Sequence, residues 1–183
     1  MGAAIVGGLL AKGSTSQENI IVSDPWEGTR EKVKQSLGVR TTASNIEAVH
    51  GANVLVLAVK PQVAKSVCQE IAGSWSEGST KEQLPLIVSI AAGITLDSLA
   101  AWFTTSGGQV PKIVRVMPNT PALLGEGASG AFAGAGVSED EKKLVTTLLE
   151  SFGKVTEWVD KESLIDVVTG LSGMLMMKHH RIM

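Results

Sequence analysis

The chain has 183 residues, of which 44% are hydrophobic, with 16 Lys+Arg against 18 Asp+Glu. That length suits one domain or one domain and part of another, and a mean hydropathy of +0.20 excludes a disordered chain. A net charge of −2 leaves no electrostatic footprint for nucleic acid or an anionic membrane. The single cysteine, Cys68, excludes an internal disulfide and any CxxC metal site, and His50, His179 and His180 have no metal-ligand spacing with it.

In chain order, residues 2–11 form an apolar, Gly/Ala-rich helix pattern. It superficially resembles a signal sequence but has no basic segment before it, and Val6 breaks the N-myristoylation pattern. Residues 19–23 read as a buried strand, and residues 27–37 as a charged-faced helix ending at Gly38. Ser44-x-x-Glu47 is a reciprocal capping pattern that opens a helix. Residues 53–59 read as a strand, followed by a helix over 61–74 with Pro61 in its first turn, where its missing N–H costs nothing. A strand over 84–90, a short helix over 95–103 and a strand over 113–117 follow. Ser138-x-x-Glu141 opens a helix to about residue 152, stopped at Gly153, and residues 154–159 are a last short strand.

Near-continuous β-branched runs separated by helices predict an α/β, doubly wound, Rossmann-type parallel sheet covered on both faces. In such a fold a strand and a glycine-rich turn precede the first helix. The chain opens on the helix, so the expectation is a sheet lacking its first strand. In the strand order 3-2-1-4-5-6 that strand is central, and its absence leaves a gap between the second and fourth strands. Each buried backbone group left unpaired there would cost roughly 1–3 kcal/mol. Gly2 is either the last glycine of the fingerprint or an ordinary helix residue. No uncharged apolar run reaches the roughly 18–20 residues needed to span a bilayer, so a cytoplasmic protein is expected.

Four stretches carry a resemblance. They are Val56-Leu57-Ala58-Val59-Lys60-Pro61-Gln62, Val88-Ser89-Ile90-Ala91-Ala92-Gly93-Ile94, Arg115-Val116-Met117-Pro118-Asn119-Thr120-Pro121-Ala122, and Asp166-Val167-Val168-Thr169-Gly170-Leu171-Ser172-Gly173. In this order they resemble the pyrroline-5-carboxylate reductase family, whose members reduce a cyclic imine with NAD(P)H in the last step of proline synthesis. The match runs from Met1 to about Gly173. It implies an incomplete dinucleotide-binding domain over residues 1–160 and the start of a C-terminal helical dimerisation domain over 161–173. Residues 174–183 match nothing in the family. They hold four of the six methionines (Met174, Met176, Met177 and Met183) and read as foreign to it.

The resemblance implies a cofactor, NADP(H) with NAD(H) left open, along Met1, Gly2, Asp24, Asn45, Ala58, Val59, Lys60, Pro61, Ile90, Ala91, Ala92 and Asn119. Asp24, at a strand end, suits a ribose hydroxyl and would repel a 2′-phosphate, but it also precedes Pro25 as a turn former. Arg30 is close enough in sequence to neutralise such a phosphate. Lys60 is otherwise a solvated charge, Asn119 otherwise a turn residue, and Asn45 otherwise part of a first helical turn. Small Ala58, Ala91 and Ala92 leave room for a ring or ribose against the backbone.

Ser172 and Gly173 are the first half of the family's Ser-Gly-Ser-Gly-Pro segment, which holds the substrate carboxylate. Met174 stands where its next Ser is expected. The family's chemistry passes a hydride from the nicotinamide to the imine carbon and needs no catalytic side chain in the dinucleotide domain; none is assigned, and no metal. Family members form homo-oligomers through the helical domain, which is not expected here. A catalytically inactive nucleotide-binding or interaction fragment is the alternative. A third reading, a short β-hydroxyacid dehydrogenase-like reductase, is opposed by the Ala-Val-Lys-Pro and Met-Pro-Asn-Thr-Pro stretches.

Overall fold

The computed structural model describes residues 1–75, 80, 83–118 and 127–165. Helix α1 (Gly2–Ala11) is followed by a single 3-10 turn and strand β1 (Ile21–Ser23), then α2 (Glu27–Leu37) and β2 (Arg40–Thr42). Next come α3 (Asn45–Val49), β3 (Val54–Leu57), α4 (Pro61–Gly73), β4 (Leu86–Ser89) and α5 (Leu96–Phe103). The described elements end with β5 (Ile113–Pro118), β6 (Gly127–Ala133), α6 (Glu139–Glu150) and β7 (Gly153–Trp158).

The helix boundaries follow their punctuation. Gly38 closes α2 at φ +68, a left-handed conformation that glycine adopts without a Cβ penalty. Pro61 is the first residue of α4 after the N-cap Lys60. At α6, Ser138 and Glu141 make both halves of the capping box. At α3 only half forms. The Ser44 hydroxyl accepts from the Glu47 N–H, but the Glu47 carboxylate turns to the Thr42 hydroxyl, which itself accepts from the Ser44 N–H. The competing acceptor comes from β2, a strand that the polar triplet Arg-Thr-Thr does not announce.

The strands form two sheets, a parallel pair β1–β2 and a five-stranded sheet ordered β3–β4–β5–β6–β7. Among the described residues no ladder joins β1 to β3, which agrees with the gap expected beside the second strand. The sheet is mostly parallel, as expected, with one departure. β3, β4 and β5 are parallel, but β6 runs antiparallel to β5, with Val114 opposite Ala133 and Pro118 opposite Ser129. β7 then pairs parallel to β6. Gly127–Ala133 carries no β-branched residue, so the strand arises from pairing with its neighbours and not from local preference.

Helix α1 is apolar on all sides, and it bridges the two sheets. Ile5 packs in the main core with Leu86, Val88, Val114, Val116 and Phe152, while Val6 packs with Val33 and Val39 beneath the smaller sheet. On the opposite face of the large sheet, Leu57, Cys68, Ile87, Leu99 and Phe103 form a second core. β4 is buried along its whole length; β3, at the edge, is half-buried except for Leu57. Among the described residues, no helix is long and apolar enough to cross a membrane.

Candidate cofactor site

In an open α/β sheet, ligands bind outside the carboxyl ends of the strands, at the point where strand order reverses. β3 delivers Ala58, Val59 and Lys60 to that edge, and β4 delivers Ile90, Ala91 and Ala92. The two ends are tied together by the Ile90 N–H, which donates to the Leu57 carbonyl at 3.1 Å. The buried Ser89 hydroxyl accepts from the Ala91 N–H. Ala58, Lys60 and Ala92 are exposed, Val59, Pro61 and Ile90 half-buried, and Ala91 buried. The strand ends therefore present mainly backbone and methyl groups to a ligand.

The N-terminus of α1 abuts this edge, since a Cβ on Gly2 would lie 3.7 Å from that of Ala58. The Met1 carbonyl accepts from the Ala4 and Ile5 amides. The Gly2 and Ala3 amides, in the first turn, have no acceptor within the helix and form its positive end. Met1, Gly2 and Ala58 are thus brought together where an anion would be favoured.

Asp24 lies at the end of β1, its N–H donating to the Thr42 carbonyl at 3.1 Å. One carboxylate oxygen accepts from the Trp26 N–H at 2.8 Å, so the turn-forming role is real, and Oδ2 has no protein donor among the described residues. Arg30 folds back over this turn. Its Nη1 donates to the Asp24 and Pro25 carbonyls, each at 2.9 Å. Asn45 is committed to the protein. Its Oδ1 accepts from the Ser23 hydroxyl at 2.8 Å and its Nδ2 donates to Glu70 of α4 at 3.0 Å. It is a strut between β1 and α4, and a cofactor would engage that amide only by displacing one of these partners. Asn119, Ser172 and Gly173 lie outside the described residues, as does the methionine-rich tail.

A polar cluster that no local sequence pattern marks joins three parts of the fold. Arg115 of β5 is only 3% exposed, and its Nη1 lies 2.6 Å from Glu162 Oε1. The same oxygen accepts from the Leu96 N–H at 2.6 Å, at the start of α5. One carboxylate thereby joins a central strand, a helix N-terminus and the chain beyond β7. Charge-assisted bonds of this kind are the strong ones, but a separation of 47 residues gives no local signal. Among the described residues there is no group of three or more His, Cys, Asp or Glu side chains that could hold a metal ion.

A doubly wound sheet with small residues at its strand ends, a helix N-terminus among them and an acidic residue closing a strand defines the dinucleotide-binding class. These residues fit such a cofactor: a positive helix end for phosphate, an unused carboxylate oxygen for ribose and open backbone for a ring. The chain belongs to the family described as NADP oxidoreductase, coenzyme F420-dependent, which it matches over residues 1–93.

Within that family its relatives are pyrroline-5-carboxylate reductases. It is 45% identical to the pyrroline-5-carboxylate reductase of Pseudomonas aeruginosa over 173 residues, 94% of this chain and 59% of that protein. The solved structure of the Coxiella burnetii pyrroline-5-carboxylate reductase superposes with a TM-score of 0.82 at 35% identity, over 92% of this chain and 58% of the other. The Plasmodium falciparum enzyme, solved with NADP bound, superposes at 0.76 with 28% identity, over 98% and 61%. The chain thus spans about three-fifths of the length of the relatives it matches.

Proposed function

We propose that this chain provides the dinucleotide-binding part of a pyrroline-5-carboxylate reductase, which gives L-proline from 1-pyrroline-5-carboxylate at the expense of NAD(P)H. The observation that carries this reading is the clustering of separate sequence stretches, Met1–Gly2, Ala58–Pro61 and Ile90–Ala92, at one edge of the sheet. The similarity to reductases over nearly the whole chain supports it, and the NADP-bound relative supports NADP(H) as the cofactor.

The bound nicotinamide supplies the hydride. The chain's own residues position and shield. The α1 N-terminus and Gly2 receive the phosphates, with Lys60 adding positive charge at the same edge. Asp24 Oδ2 accepts from a ribose hydroxyl, which in NADP(H) is the 3′-hydroxyl because the 2′-oxygen carries the phosphate. Ala91 and Ala92 let a flat ring lie against the β4 end without steric conflict, and Pro61 fixes the direction in which the chain leaves the site. None of these side chains needs to exchange a proton, so the contribution is position and electrostatics. By the resemblance, Asn119 contributes to cofactor binding, and Ser172 with Gly173 to binding of the substrate carboxylate. The protein works in the cytoplasm on a small-molecule substrate, without nucleic acid or membrane; homo-oligomers are expected of the family.

The test is calorimetric titration with NADPH and NADH, alongside NADPH oxidation driven by 1-pyrroline-5-carboxylate. Saturable NADPH binding and imine-dependent oxidation are expected from the chain joined to the remaining two-fifths of a relative. Failure to bind either nucleotide refutes the reading.

A further inference from the structure

The feature that the cofactor reading leaves unexplained is Trp26. The other three tryptophans are anchored: Trp75 stacks on Phe103 with ring centroids 5.8 Å apart, Trp102 packs against the second core, and the Trp158 indole donates to Thr146 at 3.0 Å. Trp26 is 77% exposed. A large aromatic surface left in water forgoes the main driving force of folding, and exposed tryptophan is characteristic of surfaces that bind.

Its backbone, in contrast, is held firmly. The Trp26 N–H donates to Asp24, its carbonyl accepts from the Thr29 and Arg30 amides at 3.1 Å each, and the residue before it is Pro25. Arg30 pins the preceding two carbonyls from beneath. The turn therefore fixes the backbone from which the indole projects, two residues beyond the carboxylate placed for a ribose. A ligand fitting both groups has a hydroxylated sugar joined directly to a flat heteroaromatic ring.

We infer that Trp26 is the stacking platform for the adenine ring of the dinucleotide. This inference rests on the cofactor reading above and deepens it. With the ribose hydroxyl on Asp24 Oδ2, the base attached to that ribose extends toward the start of α2, whose N-cap residue is Trp26. Every base has a π-face, so the platform serves NADPH and NADH alike and leaves their discrimination to Asp24 and Arg30. Base–aromatic stacking predicts roughly ten-fold weaker binding when the indole is removed.

The test is calorimetry on the unaltered chain, Trp26→Ala and Trp26→Phe, with NADPH, NADH, ADP-ribose and nicotinamide mononucleotide as probes. Trp26→Ala should weaken NADPH, NADH and ADP-ribose by a similar factor of about ten and leave nicotinamide mononucleotide unchanged. Trp26→Phe should recover most of that loss. Indole fluorescence should be quenched by ADP-ribose in the unaltered chain and much less in Trp26→Phe. The side chain buries little, so the thermal transition should not move. Unchanged ADP-ribose binding in Trp26→Ala overturns this inference alone, as does an equal loss for nicotinamide mononucleotide. Absence of NADPH binding by the unaltered chain overturns the dinucleotide reading and the inference together.

Discussion

Two adjacent glycines in α1 should respond in opposite directions to the same substitution. A Cβ on Gly7 would meet only Leu37 Cδ2, at 3.6 Å, an ordinary contact with a movable side-chain end. A Cβ on Gly8 would lie far inside van der Waals distance of the Ser151 carbonyl oxygen, 2.8 Å from its carbon and 3.2 Å from Phe152 Cβ. Those are atoms of the chain leaving α6, already tied to α1 because Lys12 Nζ donates to the Glu150 carbonyl. Ala in place of Gly inside a helix gains about 0.5–1 kcal/mol from chain entropy alone. Gly7→Ala should keep that gain. At Gly8, ordinary carbon contacts need about 3.5–4.0 Å, so α1 must move away from α6 by most of an ångström and open the core around Ile5. Overpacking of this kind costs about 1–3 kcal/mol, and main chain cannot yield as a side chain can. Gly8→Ala should therefore lose about 2 kcal/mol net. For a chain of this size that is a fall in melting temperature of roughly 4–8 °C, against a rise of roughly 2–3 °C for Gly7→Ala. Urea unfolding followed by circular dichroism measures both. If Gly8→Ala proves as stable as Gly7→Ala, the close approach of α1 to α6 is wrong.

Burial pushes the Cys68 thiol up to about 12, so a thiol reagent at pH 8 should leave it unmodified in the folded chain and modify it fully in urea. Burial also pushes the Glu141 carboxyl up, but bonds from Lys112 and from the Ser138 backbone and hydroxyl outweigh it and hold it below its ordinary value of 4.5. A folded value below the unfolded one contributes stability above about pH 4.5 that is lost as pH falls through the folded value. Glu141→Gln keeps the capping geometry and should flatten that acid limb, which urea titrations between pH 3 and 7 would reveal. Arg115→Ala should destabilise by about 3 kcal/mol, the low end for breaking a buried pair, because Glu162 at 28% exposure keeps some water. Glu162→Gln, which can still accept from Leu96, should cost less; equal losses by urea unfolding would contradict the shared role of that carboxylate.

How far the residues announce the fold depends on whether the signal is local. The boundaries of α2, α4 and α6 were legible because Gly38, Pro61 and the Ser138–Glu141 box act within one turn of their own helix. β3, β4 and β5 were legible because their cores are runs rich in Val, Ile and Leu bounded by turns, although β3 and β4 are shorter than their apolar stretches. β2 and β6 were not. Arg-Thr-Thr and Gly-Ala-Ser-Gly-Ala-Phe-Ala are strands only because β1 and β5 offer them edges. The reversal of direction at β6 likewise belongs to the pairing partner.

The sequence by itself determined the fold class and most of the residues gathered at the strand ends, since a strand followed by small residues and a helix start places them there in any doubly wound sheet. Only the tertiary structure decided what those residues are free to do. It committed the Asn45 amide to Ser23 and Glu70, left one oxygen of Asp24 open, and joined Arg115 to Glu162 across the fold. It also set an exposed Trp26 on a hydrogen-bonded turn beside the carboxylate and left β1 and β3 unpaired with each other. Each of these depends on distances between segments remote in the chain, which composition and periodicity do not encode. The net charge of −2 and the single cysteine bounded the expectations, but the packing of α1 between two sheets shows how its apolar opening is used.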